Sequence, residues 1–523
     1  MTDLANTETK TVNTMTPLKK AIGFGAMVLG MFMAILDIQI VSASLAEIQA
    51  GLGASPSEGS WVQTAYLIAE VIMIPLSGFL SRVLSTRVLF TSAAIGFTVS
   101  SVLCATATTI TEMIIYRAMQ GFIGGAMIPS VFAAAFTVFT PEKRTIVSPI
   151  IGLVATVAPT IGPTIGGILS HSFSWHWLFL VNLPPGIIVS ILAWKFIDFD
   201  KPDHSLFKKF DWWGLFGLAA FLGSLEYVLE EGPRHDWLQD NTIFFFTIFL
   251  AFGAVIFFWR AFKAQEPIVD LRTFSNLNFS LGTIFSFVLG MGLYGLTYLY
   301  PLYLGQIRHY DSLMIGNTMF VSGLAMFAAA PIAGFISNKI DPRITMSLGF
   351  AGFAMGTWLV TGLTSDWDFW ELFIPQLLRG GSLMLAMVQI NNVALGTLPP
   401  ERIKAASGIF NLTRNLGGAV GLAIINTIVI KRTDFHTQRL AEMINQSRYE
   451  AVSTLEAFQR SYSATPNLDS HTLALSQLNN IVKMQGNVLA FADAFFVLTL
   501  LFIMLVILVW LVKKPKNTVE GGH

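Results

Sequence analysis

Residues 21–46 read AIGFGAMVLGMFMAILDIQIVSASLA, twenty-six residues with one charged side chain, Asp37. A helix needs about 20 apolar residues to cross a ~30 Å hydrocarbon core, so this run is long enough to span. It is too long for the apolar segment of a cleavable signal and holds an Asp, so it reads as a retained first span behind a polar, Thr-rich tail. Thirteen further runs follow: 59–80, 87–108, 112–139, 145–170, 176–197, 212–231, 241–262, 277–304, 312–337, 343–363, 371–398, 404–430 and 487–512. None alternates with period two, so they are helices and not barrel strands.

Composition agrees. The chain is 53% hydrophobic and 12% charged, where a soluble domain carries about 25% charged residues. Lys+Arg and Asp+Glu both number 32, and a balanced charge argues against a nucleic-acid partner. The lone cysteine, Cys104, sits in an apolar run. It can form no internal disulfide, and no Cys/His cluster suggests a metal.

Basic residues set orientation. With the N-terminus inside, the inner segments carry 21 Lys and Arg, from Lys10 to Lys516. The short outer loops carry two, Arg234 and Arg308. The long outer loop 431–486 carries six, but long loops translocate regardless of charge. Both termini are therefore expected in the cytoplasm.

The chain also repeats. Gly78-Phe79-Leu80-Ser81-Arg82 ends the second run and Gly334-Phe335-Ile336-Ser337-Asn338 the tenth. Pro141-Glu142-Lys143-Arg144 opens the fifth and Pro400-Glu401-Arg402 the thirteenth. These offsets predict an all-α membrane protein of fourteen transmembrane helices, two pseudo-symmetric six-helix halves with two inserted helices between them. The expected divisions are a cytoplasmic tail 1–20, a first half 21–197, a linker 198–272 with the inserted pair, a second half 273–512 including loop 431–486, and a tail 513–523. Parallel repeats of this kind place a substrate site between the halves near the midplane.

Four motifs sit on these spans: Leu36-Asp37 on the first, Tyr116-Arg117-Ala118-Met119-Gln120-Gly121 on the fourth, Gly162-Pro163-Thr164-Ile165-Gly166-Gly167 on the fifth, and Trp177 to Pro184 at the start of the sixth. Together they resemble the major facilitator superfamily, in its 14-helix drug/proton antiporter branch (the EmrB/QacA type), over nearly the whole chain. Arg117, Gln120 and Gly121 match the family's helix-4 motif. Gly162, Pro163, Gly166 and Gly167 match the structural antiporter motif that marks export. The loop between the second and third spans departs from the pattern, with Arg82 where an Asp is usual and Ser85 where a Gly is usual.

Depth follows from 1.5 Å per residue. Asp37 lies about 24 Å from the inner end of its helix and Arg117 about 8 Å from the outer end of its own, so both fall in the outer third. They can pair, with Gln120 bonding either. Two readings stand: a proton switch, or a static pair joining two helices. Glu70 shares a helix face with Gln63 and Tyr66. It reads as a second proton or cation site, or as a hydrogen-bonded packing residue. Asp37, Glu70 and Arg117 thus form the expected proton-coupling set.

The expected substrate cavity takes Gln63, Tyr66, Gln120, Tyr294, Tyr298, Arg379, Met384, Gln389, Asn392, Asn411 and Arg414. Polar stripes on the twelfth and thirteenth spans suit a cavity wall or interhelical hydrogen bonding, and tyrosines and methionines suit bulky apolar ligands. Tyr303 reads as an interface tyrosine, and Glu226 and Asp493 as hydrated end residues. Loop 431–486 is helix-patterned over 436–462, as a docking element or an interfacial cover.

No GxSxG, HExxH or Walker A motif appears, so no enzyme is expected; no cofactor is expected either, and the resemblance implies the proton as the coupling ion. A redox-driven proton-pump subunit would need lysines and histidines at mid-membrane, and none is found there. The resemblance implies a proton-coupled exporter of drug-like or amphipathic molecules, multi-pass in the bacterial inner membrane. An endogenous siderophore or fatty acid is the alternative cargo. The expected partners are that substrate, the bilayer, and a periplasmic adaptor with an outer-membrane channel in a tripartite pump.

Overall fold

The computed structural model describes residues 16–513 except 266, 338, 446 and 463–468. The expected tails, apart from 16–20 and 513, and Asn338 of the repeat lie outside the described residues. Fourteen long helices are present, and no strand occurs among the described residues. They are α1 Pro17–Ala43, α2 Pro56–Leu84, α3 Thr86–Ala105, α4 Ile110–Gly124 continuing as Met127–Val138, α5 Pro141–Ser172, α6 Leu183–Phe196, α7 Trp212–Glu231, α8 Asn241–Lys263, α9 Leu277–Gln306, α10 Ser312–Ser337, α11 Pro342–Val360, α12 Phe369–Leu395, α13 Pro400–Glu442 and α14 Ser470–Leu508. Thirteen are long and apolar enough to cross a membrane, counting the bent α5 as one. The fourteenth, α11, has 19 residues. It spans about 28 Å, which matches the core, and its polar first turn and glycines lower its mean hydropathy.

Local chemistry explains the breaks. Pro149, Pro159 and Pro163 lie inside α5, and the helix bends by 44° between Pro159 and Ile161. Proline removes a ladder hydrogen bond and crowds the preceding turn. Ser85 and Thr109 cap α3 and α4 through their hydroxyls. Ser85 adopts φ 75°, the left-handed region that favours glycine. The resembled loop carries its second Gly at this position.

The helices pack as two bundles. Within the first, α2 lies on α4, α3 on α4 and α6, and α1 on α5 and α6; within the second, α9 lies on α13, α10 and α11 on α12, and α13 and α11 on α14. Between them α5 runs along α10, and α2 crosses α13. The crossing is close, because a Cβ on Gly78 would stand 3.0 Å from Ala405 Cα and one on Gly408 3.1 Å from the Ile74 carbonyl. The bundles also join through Ser148 Oγ, which donates to Asn392 Oδ1 (2.9 Å), while Asn392 Nδ2 donates to Ser337 Oγ (2.8 Å). The Asp200 carboxylate accepts from the Thr86 amide (2.9 Å) and hydroxyl (2.9 Å) and pairs with Lys404 of α13. All three joints lie at the end of the molecule where α1 begins and α14 ends. There Asp200 supplies an acid to a loop whose usual acidic position is filled by Arg82.

The inserted pair α7 and α8 pack on each other. Of the two, α7 packs against the bundles, touching both α2 and α13 across their seam.

Loop 431–486 differs from its expected form. α13 is continuous to Glu442, and a separate helix covers Tyr449–Tyr462 before α14 begins. The break falls where Asn445 Oδ1 accepts the Ser447 amide (3.0 Å), an Asx turn that competes with the helix ladder. At 43 residues, α13 is about 64 Å long, roughly twice the hydrocarbon core, so its last turns project beyond the bilayer. Asp469 caps α14 from outside the span. Its carboxyl is held below the usual range, chiefly by the Thr472 hydroxyl and then by the His471 amide.

Candidate functional site

Asp37 and Arg117 meet. Arg117 Nη1 donates to Asp37 Oδ2 at 2.6 Å, and both side chains are fully buried. The same nitrogen donates to Gln120 Oε1 (2.6 Å), and Nε donates to the Val62 carbonyl (3.2 Å). Gln120 Nε2 reaches back to Asp37 Oδ1 (3.2 Å) and to Ser101 Oγ (2.7 Å). Tyr66 closes the other side, its ring centroid 4.2 Å from the guanidinium carbon. Gly121 makes this possible, since a Cβ there would fall 2.3 Å from the Tyr66 carbonyl.

Asn182 is a member that sequence reasoning missed. Its Nδ2 donates to Asp37 Oδ1 at 2.6 Å and to Ser101 Oγ at 3.3 Å. The signal was present, as a polar residue inside the apolar stretch from Trp177 to Pro184. Asp37 thus holds one cation and two amide donors, contributed by α4 and the segment before α6. Arg117 Nη2 is buried with no hydrogen-bond partner.

A cavity of about 450 Å³ lies beside this cluster, between α1, α2, α7, α9 and α13. Of the expected residues, Gln63, Glu70, Tyr294 and Tyr298 line it. Glu70 is 2% exposed, and its Oε1 has no hydrogen-bond partner, nor does Gln63 Oε1. Tyr298 donates its hydroxyl to Asn426 Oδ1 (3.4 Å). Pro163 of the α5 motif also lines the wall. Gly162 and Gly166 instead seat α5 on α1, where added Cβ atoms would lie 2.4 Å from Gln39 Cβ and 2.8 Å from the Ile40 carbonyl. Gly167 accepts from Ser170 Oγ (3.3 Å).

The other expected cavity residues lie away from this wall. Tyr66 and Gln120 belong to the Asp37 cluster. Arg379 is buried and donates to Gln376 Oε1 (3.2 Å) and Thr297 Oγ1 (3.1 Å), 5.6 Å from the Tyr300 ring centroid. This repeats the Arg117–Gln120 bond in the second half with the Arg and Gln positions exchanged, although the ring beside the guanidinium comes from α9 where Tyr66 comes from α2. The repeat stops there, because Arg379 makes no ion pair among the described residues. Met384 packs against Gly152 of α5 (3.0 Å to the added Cβ). Gln389 is buried, with Nε2 unpartnered, and Asn392 joins the halves. Asn411 donates to the Ser407 carbonyl (2.9 Å) and accepts from Arg414 Nη2 (2.7 Å), and Arg414 lies over Phe132.

Three readings of end residues change. Tyr303 is 1% exposed and donates its hydroxyl to the Thr364 carbonyl (2.7 Å), so it anchors a loop rather than facing the interface. Glu226 is 5% exposed and lines the cavity, because α7 packs on α2 with this face turned inward. Asp493 is half-buried and pairs with Arg432 and His436 of α13.

Two pseudo-repeated helical bundles enclosing a cavity near the midplane, with a buried carboxylate–guanidinium pair against its wall, define a multi-pass membrane transporter. The Major Facilitator Superfamily model matches residues 27–422, and the chain belongs to that family. It is 42% identical over 472 residues to the colistin resistance protein EmrB of Acinetobacter baumannii, covering 90% of this chain and 92% of that one. It is 30% identical to the fatty acid resistance protein FarB of Neisseria gonorrhoeae (97% and 99% covered) and 28% identical to the multidrug export protein EmrB of Escherichia coli (95% and 96% covered). Among solved structures it superposes on the human organic anion transporter MFSD10 (TETRAN) with a TM-score of 0.61 at 14% identity, covering 95% of this chain and 100% of that one. The proton:xylose symporter XylE gives 0.59 at 12%, with 95% and 97% covered. Those two likenesses establish the fold.

Proposed function

We propose that this chain is a proton-coupled exporter of amphipathic small molecules across the inner membrane, working by alternating access. The observation that carries the reading is the fully buried Asp37–Arg117 pair standing against a cavity between the two halves. The names of the EmrB and FarB relatives, which speak of drug and fatty acid resistance, support export of such cargo. Asp37 is the exchangeable proton site. Its two amide donors hold the carboxylate in place, and Arg117 stabilises its charged form. When the halves rock and the guanidinium moves away, the buried carboxylate takes up a proton. Glu70 is the second site, at the cavity wall.

In this reading both termini lie in the cytoplasm, which the excess of Lys and Arg on the inner segments supports. The joints through Gly78, Ser148 and Lys404 then form the closed cytoplasmic gate, and the cavity opens to the periplasm. Residues 21–197 and 273–512 are the moving halves, with 198–272 as the linker and inserted pair. The projecting ends of α13 and α14, with the Tyr449–Tyr462 helix, are the surface for a periplasmic adaptor, which would lead to an outer-membrane channel. A cysteine placed at Asn445 is expected to react with an impermeant maleimide from the periplasmic face, while one at Asp203 is spared. The opposite pattern would reverse the orientation and the assignment of the open side.

Transport itself is tested in everted membrane vesicles with Nile red, a neutral amphipathic dye. Acidifying the vesicle interior drives dye inward in vesicles that carry the chain. Equal accumulation with the gradient collapsed rejects proton coupling.

A further inference from the structure

The cavity wall contains a feature that the two-half architecture does not require: one side of it is built by an inserted helix. Gly223, Tyr227 and Glu231 of α7 recur every four residues and so form one stripe. That stripe sits on α2. A Cβ on Gly223 would meet Ile68 and Ile72 (3.4 and 3.6 Å), Tyr227 stacks on Trp61 (5.3 Å, 27°), and Glu231 Oε1 accepts from Thr64 Oγ1 (3.3 Å). Fixing this stripe fixes the neighbouring one. Glu226 and Glu230 then line the cavity, opposite Tyr294 and Tyr298 and on the same cavity as Glu70.

The charge on this wall is unbalanced. Glu226 and Glu230 form no hydrogen bond or ion pair among the described residues, and Glu70 Oε1 is buried without a partner. The one guanidinium on the lining is Arg234, which pairs with Glu231 (3.7 Å) and is 49% exposed at the rim. Arg414 lies behind the wall against Asn411 and Phe132, and Arg117 is neutralised by Asp37. A buried carboxylate without a partner is costly, and intramembrane acids mark ion or substrate pathways. Glu70 stands on a different helix from the α7 pair, and its unpartnered oxygen is a second, independent observation of an acid on this cavity. Leu67, Leu302 and Leu422 provide the apolar wall, and tyrosine faces attract cations.

We propose that Glu226 and Glu230 of the inserted helix, with Glu70, form a binding site for the positive group of a lipophilic organic cation. The inserted pair is thereby a specificity element, setting which charge the cavity accepts. The proposal rests on the export reading and names its substrate class. It also gives the exchange a chemical form, since protons entering from the open side neutralise the same carboxylates and release the cation.

The test uses two probes of equal shape and opposite charge, tetraphenylphosphonium and tetraphenylborate. Their binding to the purified full chain in uncharged detergent is measured by equilibrium dialysis against protein-free detergent, with no gradient. Wild type should bind the cation at least about tenfold more tightly than the anion, the worth of about 1.4 kcal/mol. Glu226→Gln/Glu230→Gln should lose that preference, and Glu226→Asp/Glu230→Asp, which keeps the charges, should retain it. Equal affinities in wild type, or an unchanged ratio in the Gln variant, would overturn the site. If the Gln variant does not fold, the wild-type ratio and the Asp variant decide. Failure here is separable from failure of the export reading, which is read with neutral Nile red in vesicles.

Discussion

Asp37→Asn is expected to reduce proton-driven dye accumulation in everted vesicles to the level of vesicles lacking the chain. The substitution keeps the shape, and its one carbonyl oxygen can still accept from Arg117, while its amide nitrogen, which only donates, replaces the oxygen that accepted from Gln120 and Asn182; it fixes the site in an uncharged form. A carrier with a fixed site can bind cargo, but it cannot exchange a proton for it. Arg117 is left buried without its counter-charge, so abundance should fall, but in the protein that does fold dye binding should survive where uphill transport is lost. Wild-type accumulation in the Asn variant would assign Asp37 to a structural role and move the proton site to Glu70.

The second large effect concerns stability. Arg117→Gln leaves the fully buried Asp37 with amide donors but no cation, and breaking a buried pair from one side costs about 3–5 kcal/mol. That is a large part of a typical 5–15 kcal/mol margin, so abundance and melting temperature should fall sharply. The double variant Asp37→Asn/Arg117→Gln removes both charges, and it should recover much of the lost stability without recovering transport. A double variant no more stable than Arg117→Gln would show that the pair contributes little beyond what Gln120, the Val62 carbonyl and Tyr66 provide.

The spans were legible because membrane crossing leaves a one-dimensional signature of length, apolarity and charge asymmetry. The Asp37–Arg117 meeting was legible too, since helix rise converts residue number into depth, and two opposite charges at one depth in lipid have strong reason to pair. Rotation about the helix axis was not. A polar stripe such as Arg379, Gln389 and Asn392 shows only that a face avoids lipid, and a neighbouring helix satisfies that as well as a cavity does. Arg379 duly bonds Gln376 and Thr297, and Asn392 joins the halves. Glu226 was misread for the same reason. Its exposure depends on how α7 sits on α2: the four-residue recurrence in α7 defines a stripe, but which stripe faces α2 is set by contacts such as the Trp61–Tyr227 stack. Asn182 lies 145 residues from Asp37, and its place beside Asp37 depends on how the segment before α6 packs against α1.

The account depends most on proton exchange at Asp37, and proton release on substrate binding tests it most directly. Purified protein in weakly buffered detergent, with a pH indicator, is mixed with a saturating concentration of the transported dye. Wild type should release protons as the dye binds, and Asp37→Asn should release fewer while still binding dye. Binding by wild type with no release, or equal release by both proteins, would contradict it.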